Sequence, residues 1–330
     1  MIVVADILSA TIIFAIPLLV VALGGMYSER SGTINIALEG IMIIGALFGC
    51  LFLNAADKSG WGAKNPQLAV LLAILIAGLA GLIFSILLAI ASISLKADQT
   101  IGGTALNMFA PAFAIVLTWA IQGQGQTTIG IPSWIPITQS TFGMKASEDP
   151  GFFERFLFKS FYLTTPIVLL ILVVTVFVIY KTRFGLRLRS CGEHPQAADS
   201  VGINVYRYRY TGVAISGLLG GIGGLAFTVA AGSGFQSTVA GYGFFALAVM
   251  IFGNWHPVRI FGAALFFALF KVIGSYTGSI PFLPSFKGIK SADYIYQMLP
   301  YIVTMIVLIF TSKKSRAPKA EGIPYDKSKR

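Results

Sequence analysis

The sequence predicts an all-α integral membrane protein, a polytopic helix bundle with about nine transmembrane helices. Two observations predict it. Of the 330 residues, 56% are hydrophobic and only 11% are charged, whereas ordinary soluble domains carry about 25% charged residues. The mean hydropathy is +0.80. A soluble domain of this size cannot hide so much apolar side chain, because its surface still needs polar cover. The apolar residues are also gathered into runs near 7–25, 34–54, 68–95, 101–121, 161–180, 211–231, 240–253, 260–279 and 296–311. About 20 apolar residues span a bilayer. Open strands cannot cross lipid, so every run reads as a helix. A soluble enzyme, a disordered chain and a secreted disulfide scaffold are excluded. Residues 1–311 read as one membrane domain and 312–330 as a basic tail.

The first run has no basic segment before it, so no cleavable signal peptide is expected. The second carries Asn35 and Glu39, four apart and therefore predicted on one helical face, just after a turn holding Glu29 and Arg30. Polar groups within lipid are candidates for function. These two either line the inner end of a path or pin the helix, the acid being stabilised near a helix N-terminus. The third run is long enough to span. The fourth opens with Gln99, Thr100, Thr104 and Asn107, of which the last three share a face by spacing. They offer donors and acceptors to a neutral solute, or else to a neighbouring helix. Phe113 and Trp119 stack on a base or simply pack.

Loop 122–160 follows, with Trp134, mixed charge, and Phe152, Phe153 and Phe156, which predict an interfacial helix in part of it. After the fifth run comes a basic loop, 181–210. In the sixth, Ser216, Gly220 and Gly224 recur four apart, as do Gly217 and Gly221, and predict close helix packing. No Gly-Lys-Ser/Thr follows, so this is not a phosphate-binding loop. The seventh run is short and holds Gly241, Gly243 and Gly253, which predicts a tilted, broken or partly re-entrant segment. The eighth holds Lys271, twelve residues beyond Arg259. That is about 18 Å along a helix, so Lys271 is expected to snorkel outward.

Charge placement sets the orientation. The net charge of +11 is concentrated at Lys181, Arg183, Arg187, Arg189, Arg207 and Arg209, and again in the tail from Lys313 to Arg330. Both clusters flank apolar runs, as cytoplasmic loops do, and this reading displaces nucleic-acid binding. Four runs lie between them, an even number, so both ends stay on one side. Counting backwards places loop 122–160 outside, 26–33 and 96–100 inside, and the N-terminus outside. Cys50 and Cys191 fall in a span and in the basic loop, where neither a disulfide nor a metal site is expected. The only histidines, His194 and His256, lie in different loops, and no zinc, nucleophile-elbow or Walker A motif occurs. An ATPase, if one drives this protein, is another chain.

The segment Cys191–Asn204, CGEHPQAADSVGIN, is the most informative stretch. Pro195 suits the first position of a helix and Gly202 the residue past its end. Ala197, Ala198 and Val201 make a small apolar face between them. Membrane-resting helices carry larger apolar residues. The alanines therefore suit a protein groove, or else a folded loop with no partner.

The longer stretch TRFGLRLRSCGEHPQAADSVGINVYRYRYTGVAISGLLGGIGGLAF (Thr182–Phe227) resembles the coupling-helix region of ABC importer permeases. Their superfamily serves branched-chain amino acids, simple sugars and nucleosides. SERSGTINIALEG (Ser28–Gly40), GYGFFALAVMIFGNWHPVRIFGAALFF (Gly241–Phe267) and QMLPYIVTMIVL (Gln297–Leu308) match in the same order, and the nucleoside-uptake permeases are the most similar group. The resemblance implies a type II importer-like permease in a bacterial cytoplasmic (inner) membrane. Two permease subunits, often different but related chains, form the path. A cytoplasmic ABC ATPase pair powers it, so ATP and magnesium sit on those chains and no cofactor sits here. An extracytoplasmic lipoprotein delivers the solute. The resemblance assigns ATPase coupling to Glu193, His194, Pro195, Ala197, Ala198, Val201 and Gly202, with His194 standing where Asn is more usual.

The expected function is thus alternating-access import of nucleosides, with no chemistry on the solute and no enzymatic activity on this chain. Asn35, Glu39, Thr100, Thr104, Asn107 and Trp119 are the path candidates. A bulky charge at Ala198 is expected to block the partner while sparing the fold. Sugars or branched-chain amino acids on the same machine are the first alternative. A zwitterion would want charge-complementary groups, and few ionisable residues lie in the spans. A stand-alone secondary transporter would want midplane carboxylates for ion coupling, and Glu39 alone is offered.

Overall fold

The computed structural model describes residues 2–137, 161–275 and 316–327, together with Met298, Ile302, Met305, Ile306 and Ile309. The helices are α1 (Ile2–Arg30), α2 (Leu38–Lys58), the short α3 (Trp61–Lys64), α4 (Pro66–Ala89) with a π turn at Ile90–Ser94, α5 (Gln99–Gln122), α6 (Thr164–Lys181), α7 (Arg183–Glu193), α8 (Pro195–Ser200), α9 (Val205–Ala231), α10 (Tyr242–Phe252) and α11 (Pro257–Ser275). Among the described residues, seven helices are long and apolar enough to cross a membrane, and α10 is a shorter apolar helix. The ninth expected run, 296–311, lies almost wholly outside the described residues, as do Phe152, Phe153 and Phe156. Where residues are described, the only β pairing is two isolated bridges, Ile129 with Phe235 and Ile137 with Phe161.

Helix α9 is the axis of the bundle and packs against α1, α2 and α4. Its glycines permit this. A Cβ added at Gly221 would lie 2.1 Å from the Ala77 carbonyl oxygen of α4, and one at Gly224 would lie 1.9 Å from that of Met42 in α2. The four-residue spacing read from the sequence is therefore a backbone-to-backbone contact on two sides.

Among the described residues, two non-helical stretches reach into the bundle. Helix α2 begins at Leu38, not at 34, so Asn35 lies in the connection and shares no helical face with Glu39. Tertiary hydrogen bonds replace the helical ones there. Ser28 Oγ donates to the Thr33 carbonyl (2.7 Å), Ile34 N–H donates to Gln99 Oε1 (2.7 Å), and Asn107 Nδ2 donates to the Ile36 carbonyl (2.8 Å). Asn35 Nδ2 donates to Ser216 Oγ at 2.8 Å, and Ser216 also faces Gly24 of α1. Asn35 is thus level with Gly24, roughly 9 Å inward from Arg30 along α1, so this connection re-enters the bundle. The second stretch, 232–241, leaves α9 at Gly232 (φ +67°), pairs with Ile129, and delivers α10 half-way down the bundle. Irregular backbone at such depth survives only where protein satisfies it.

The described part of loop 122–160 folds back on the bundle. Ile129 and Ile135 are buried, and Trp134 Nε1 donates to Asp57 Oδ1 at 2.7 Å. At the opposite, basic end, residues 316–327 lie against the helix ends.

Candidate functional site

The coupling segment forms as its sequence spelling requires. Pro195 takes the first helical position, His194 Nδ1 accepts from the Ala197 N–H (3.2 Å), and Gly202 follows the helix with φ +82°. Its faces differ from the expectation. Ala198 is 3% exposed and packs with Cys191, Val205 and Tyr325 of this same chain, while Pro195 is also buried. Ala197 and Gly202 face outward with Val201, which is 75% exposed. Adjacent residues of an α-helix diverge by about 100°, so Ala197 and Ala198 cannot seat in one groove. Ala197 and Val201, four apart, can. A charge at Ala198 would therefore disturb this chain's own packing. Glu193 is exposed and pairs with Arg30 (3.8 Å), which also donates to the Trp255 carbonyl at 3.0 Å. A cavity of about 470 Å³ lies beside Val201, with Arg187, Arg207 and Tyr208 among its walls.

Within the bundle, the polar candidates separate. The Glu39 carboxylate accepts from the backbone N–H groups of Gly241 (2.8 Å) and Gly243 (2.6 Å), so it caps the buried start of α10. Gly243 has no side chain because a Cβ there would lie 2.3 Å from the Glu39 nitrogen. Asn107 clamps α5 to the start of α2, accepting from Gly40 N–H and donating to Ile36, both at 2.8 Å. Lys271 does not snorkel outward: its Nζ stands 4.1 Å from the centre of the Tyr242 ring, whose face attracts a cation.

Helix α5 presents an open face. Thr100, Thr104, Met108, Val116 and Trp119 are exposed, and Thr104 Oγ1 donates to the Thr100 carbonyl (2.8 Å). The structure brings Thr100 and Thr104 onto this face and turns Asn107 inward from it. Phe84, Phe109 and Phe113 stack in series with centroid separations of 6.2 and 5.6 Å. They line an apolar groove of about 440 Å³ between α2, α4 and α5. No group of His, Cys, Asp or Glu suited to a metal ion occurs among the described residues, and Cys50 and Cys191 are buried free thiols.

The sequence reading missed the tail. Glu321 hydrogen-bonds Glu29, whose carboxylate also accepts from Trp255 Nε1 (2.6 Å). Burial raises the Glu321 carboxyl above its ordinary 4.5, against the opposing pull of that hydrogen bond and of Arg30. Arg209, only 1% exposed, donates from Nη1 to the Ile323 carbonyl at 2.8 Å, and burial drives the neighbouring Cys191 thiol to about 11. Tyr325, an aromatic set among charges and buried in the structure, was the signal that this tail folds.

The family described as branched-chain amino acid transport system / permease component matches residues 7–311. The chain is 42% identical to the guanosine ABC transporter permease protein NupQ of Bacillus subtilis (strain 168) over 98% of this chain and 97% of that protein. It is 41% identical to the nucleoside ABC transporter permease protein NupC of Lactococcus lactis subsp. cremoris (strain MG1363), over 96% of each. The nucleoside ABC transporter permease protein NupB of the same strain is 27% identical over 47% of this chain and 42% of that protein. No solved structure matches.

Proposed function

The chain belongs to the branched-chain amino acid transport system / permease component family, and from that premise we propose that it is the membrane-spanning subunit of an ATP-driven nucleoside importer. The observation that carries the reading is the near-full-length identity to two nucleoside permeases, at 42% and 41%. The geometry supports it at α8, a capped helix whose Ala197 and Val201 face outward at the basic end. Such a knob suits a concave partner surface. The partner is a cytoplasmic ABC ATPase that carries the ATP and magnesium. NupB and NupC occur in one strain, which favours a pair of related permease subunits around the path. A solute-binding lipoprotein delivers the nucleoside from outside. The basic end is cytoplasmic and the N-terminus external.

The path takes the open face of α5, where Thr100 and Thr104 offer hydroxyls without formal charge, as a neutral solute requires. Asn35 and Glu39 hold the backbone breaks that flank it. Uptake of labelled guanosine, glucose and leucine into cells that depend on this chain is the test. Preferential guanosine uptake is expected, and uptake of glucose or leucine alone would overturn the assignment. Ala197→Arg and Val201→Arg are expected to lower ATPase co-purification with unchanged permease yield. An impermeant thiol reagent is expected to reach a cysteine placed at 140, but not one at 320, from outside.

A further inference from the structure

The tail residues 316–327 are stitched to separate parts of the basic end. Arg316 N–H donates to Asn254 Oδ1 (2.8 Å), Ala320 N–H donates to the Gly192 carbonyl at the end of α7 (2.9 Å), and Ile323 accepts from Arg209 of α9. Tyr325 is buried between Cys191, Ala198 and Val205, its ring edge-on to Tyr206 at 5.3 Å. Asp326 Oδ2 stands 3.1 Å from Lys96 Nζ.

The last two contacts are consecutive in the chain and belong to different machinery. Helix α8 has six residues, too few to hold a helix without support. The side chains it buries are Pro195 and Ala198, and Ala198 shares a buried cluster with Cys191, Val205 and Tyr325. A push on the outer face of α8 is therefore delivered to that cluster, Tyr325 included. One residue on, Asp326 grips Lys96, which sits three residues before α5. The 95–98 turn is stiff: Ala97 N–H donates to the Ala91 carbonyl (2.9 Å), and Asp98 caps α5 by accepting from Thr100 and Ile101 (2.8 and 3.0 Å). Movement of Lys96 is therefore movement of the start of α5, where Thr100 and Thr104 lie.

We propose that the C-terminal tail is the transmission strap of the permease, carrying displacement of α8 through Tyr325 and the Asp326–Lys96 pair to α5. This rests on the importer reading. It adds a route through the tail beside the contacts the tail makes with α9, and it makes Tyr325, Asp326 and Lys96 positioning residues for transport. A contiguous path is not in itself coupling, so the test must separate transmission from folding.

The ion pair makes that possible. Both partners are substantially exposed, and pairs of this kind contribute little to static stability. The experiment compares the wild-type complex with Lys96→Asp, Asp326→Lys and the exchanged pair, measuring permease yield, ATPase recovery, ATP hydrolysis and labelled guanosine uptake. Each single reversal is expected to lower uptake per ATP hydrolysed about tenfold, within the usual range of coupling effects. Yield and ATPase recovery are expected to hold, and the exchanged pair to restore coupling. Tyr325→Ala is expected to uncouple in the same way. Wild-type uptake in both single reversals, or an exchanged pair as impaired as the singles, would overturn the strap. A wild-type chain that recovers no ATPase and imports nothing would overturn the importer reading beneath it.

Discussion

Helices α9 and α5 are similar in length, 27 and 24 residues, and opposite in use. Over their most apolar windows, 72% of α9 is buried and 17% of α5. Helix α9 strips its surface to glycine and serine so that α1, α2 and α4 reach its backbone. Helix α5 keeps Met108, Val116 and Trp119 exposed and is clamped to the bundle by Asn107. Hydropathy ranks both as spans and cannot distinguish them. The small-residue periodicity can, because only a backbone meant for close approach gives up its side chains.

The sharpest way to break this contrast is Gly221→Leu. The new side chain would meet the Ala77 carbonyl and the Gly81 Cα of α4. Overpacking against backbone is expected to cost at least about 3 kcal/mol and to abolish the monodisperse permease peak in detergent. A large residue on the open face, such as Ala112→Leu, should leave that peak intact.

Asn107→Leu comes next, since it unpins α5 from α2. The part-buried Gly40 N–H and Ile36 carbonyl would both lose their partner, at about 1–3 kcal/mol in all. Thermal unfolding of purified protein is expected to fall together with uptake. Loss of uptake at unchanged thermal stability would instead place Asn107 in the path.

The tail that covers the basic end of α9 supplies a smaller, pH-dependent effect. With its carboxyl raised by burial, docked Glu321 holds its proton more tightly than the free tail does. Docking is therefore strongest below the ordinary carboxylate value of 4.5 and weakens as pH rises through the raised one. The protection factors of residues 316–327, exchange taken relative to the intrinsic base-catalysed rate at each pH, are expected to be higher at mildly acidic than at alkaline pH, and Glu321→Gln should flatten the difference.

Thr104→Val is the mildest change. The exposed hydroxyl bonds only to its own helix, so stability is expected to stay within about 0.5 kcal/mol. Uptake should fall if this face meets the solute, and unchanged uptake would leave Thr104 as surface.

Much of the fold was legible because lipid imposes long apolar runs, and α8 was legible because Pro195 and Gly202 mark its ends. The start of α2 was not. Residues 34–37 are as apolar as a helix, but Gln99 and Asn107, far off in sequence, claim their backbone groups. The inward turn of Ala198 was hidden for a related reason: its bed includes Tyr325, more than a hundred residues away. Lys271 was read as surface because distance along a helix ignores the Tyr242 ring that receives it. Glu39 was foreseen beside the N-terminus of its own helix, but the end it caps is that of α10, which only the tertiary fold brings there.

The position of Arg209 bears on how the protein is made. The carbonyl that seals it lies 114 residues downstream. At ordinary rates of synthesis the ribosome needs roughly ten seconds to reach it. Until then the guanidinium lacks the Ile323 carbonyl that accepts from its Nη1. The Arg209–Ile323 contact therefore closes this end only after α9 itself has been made.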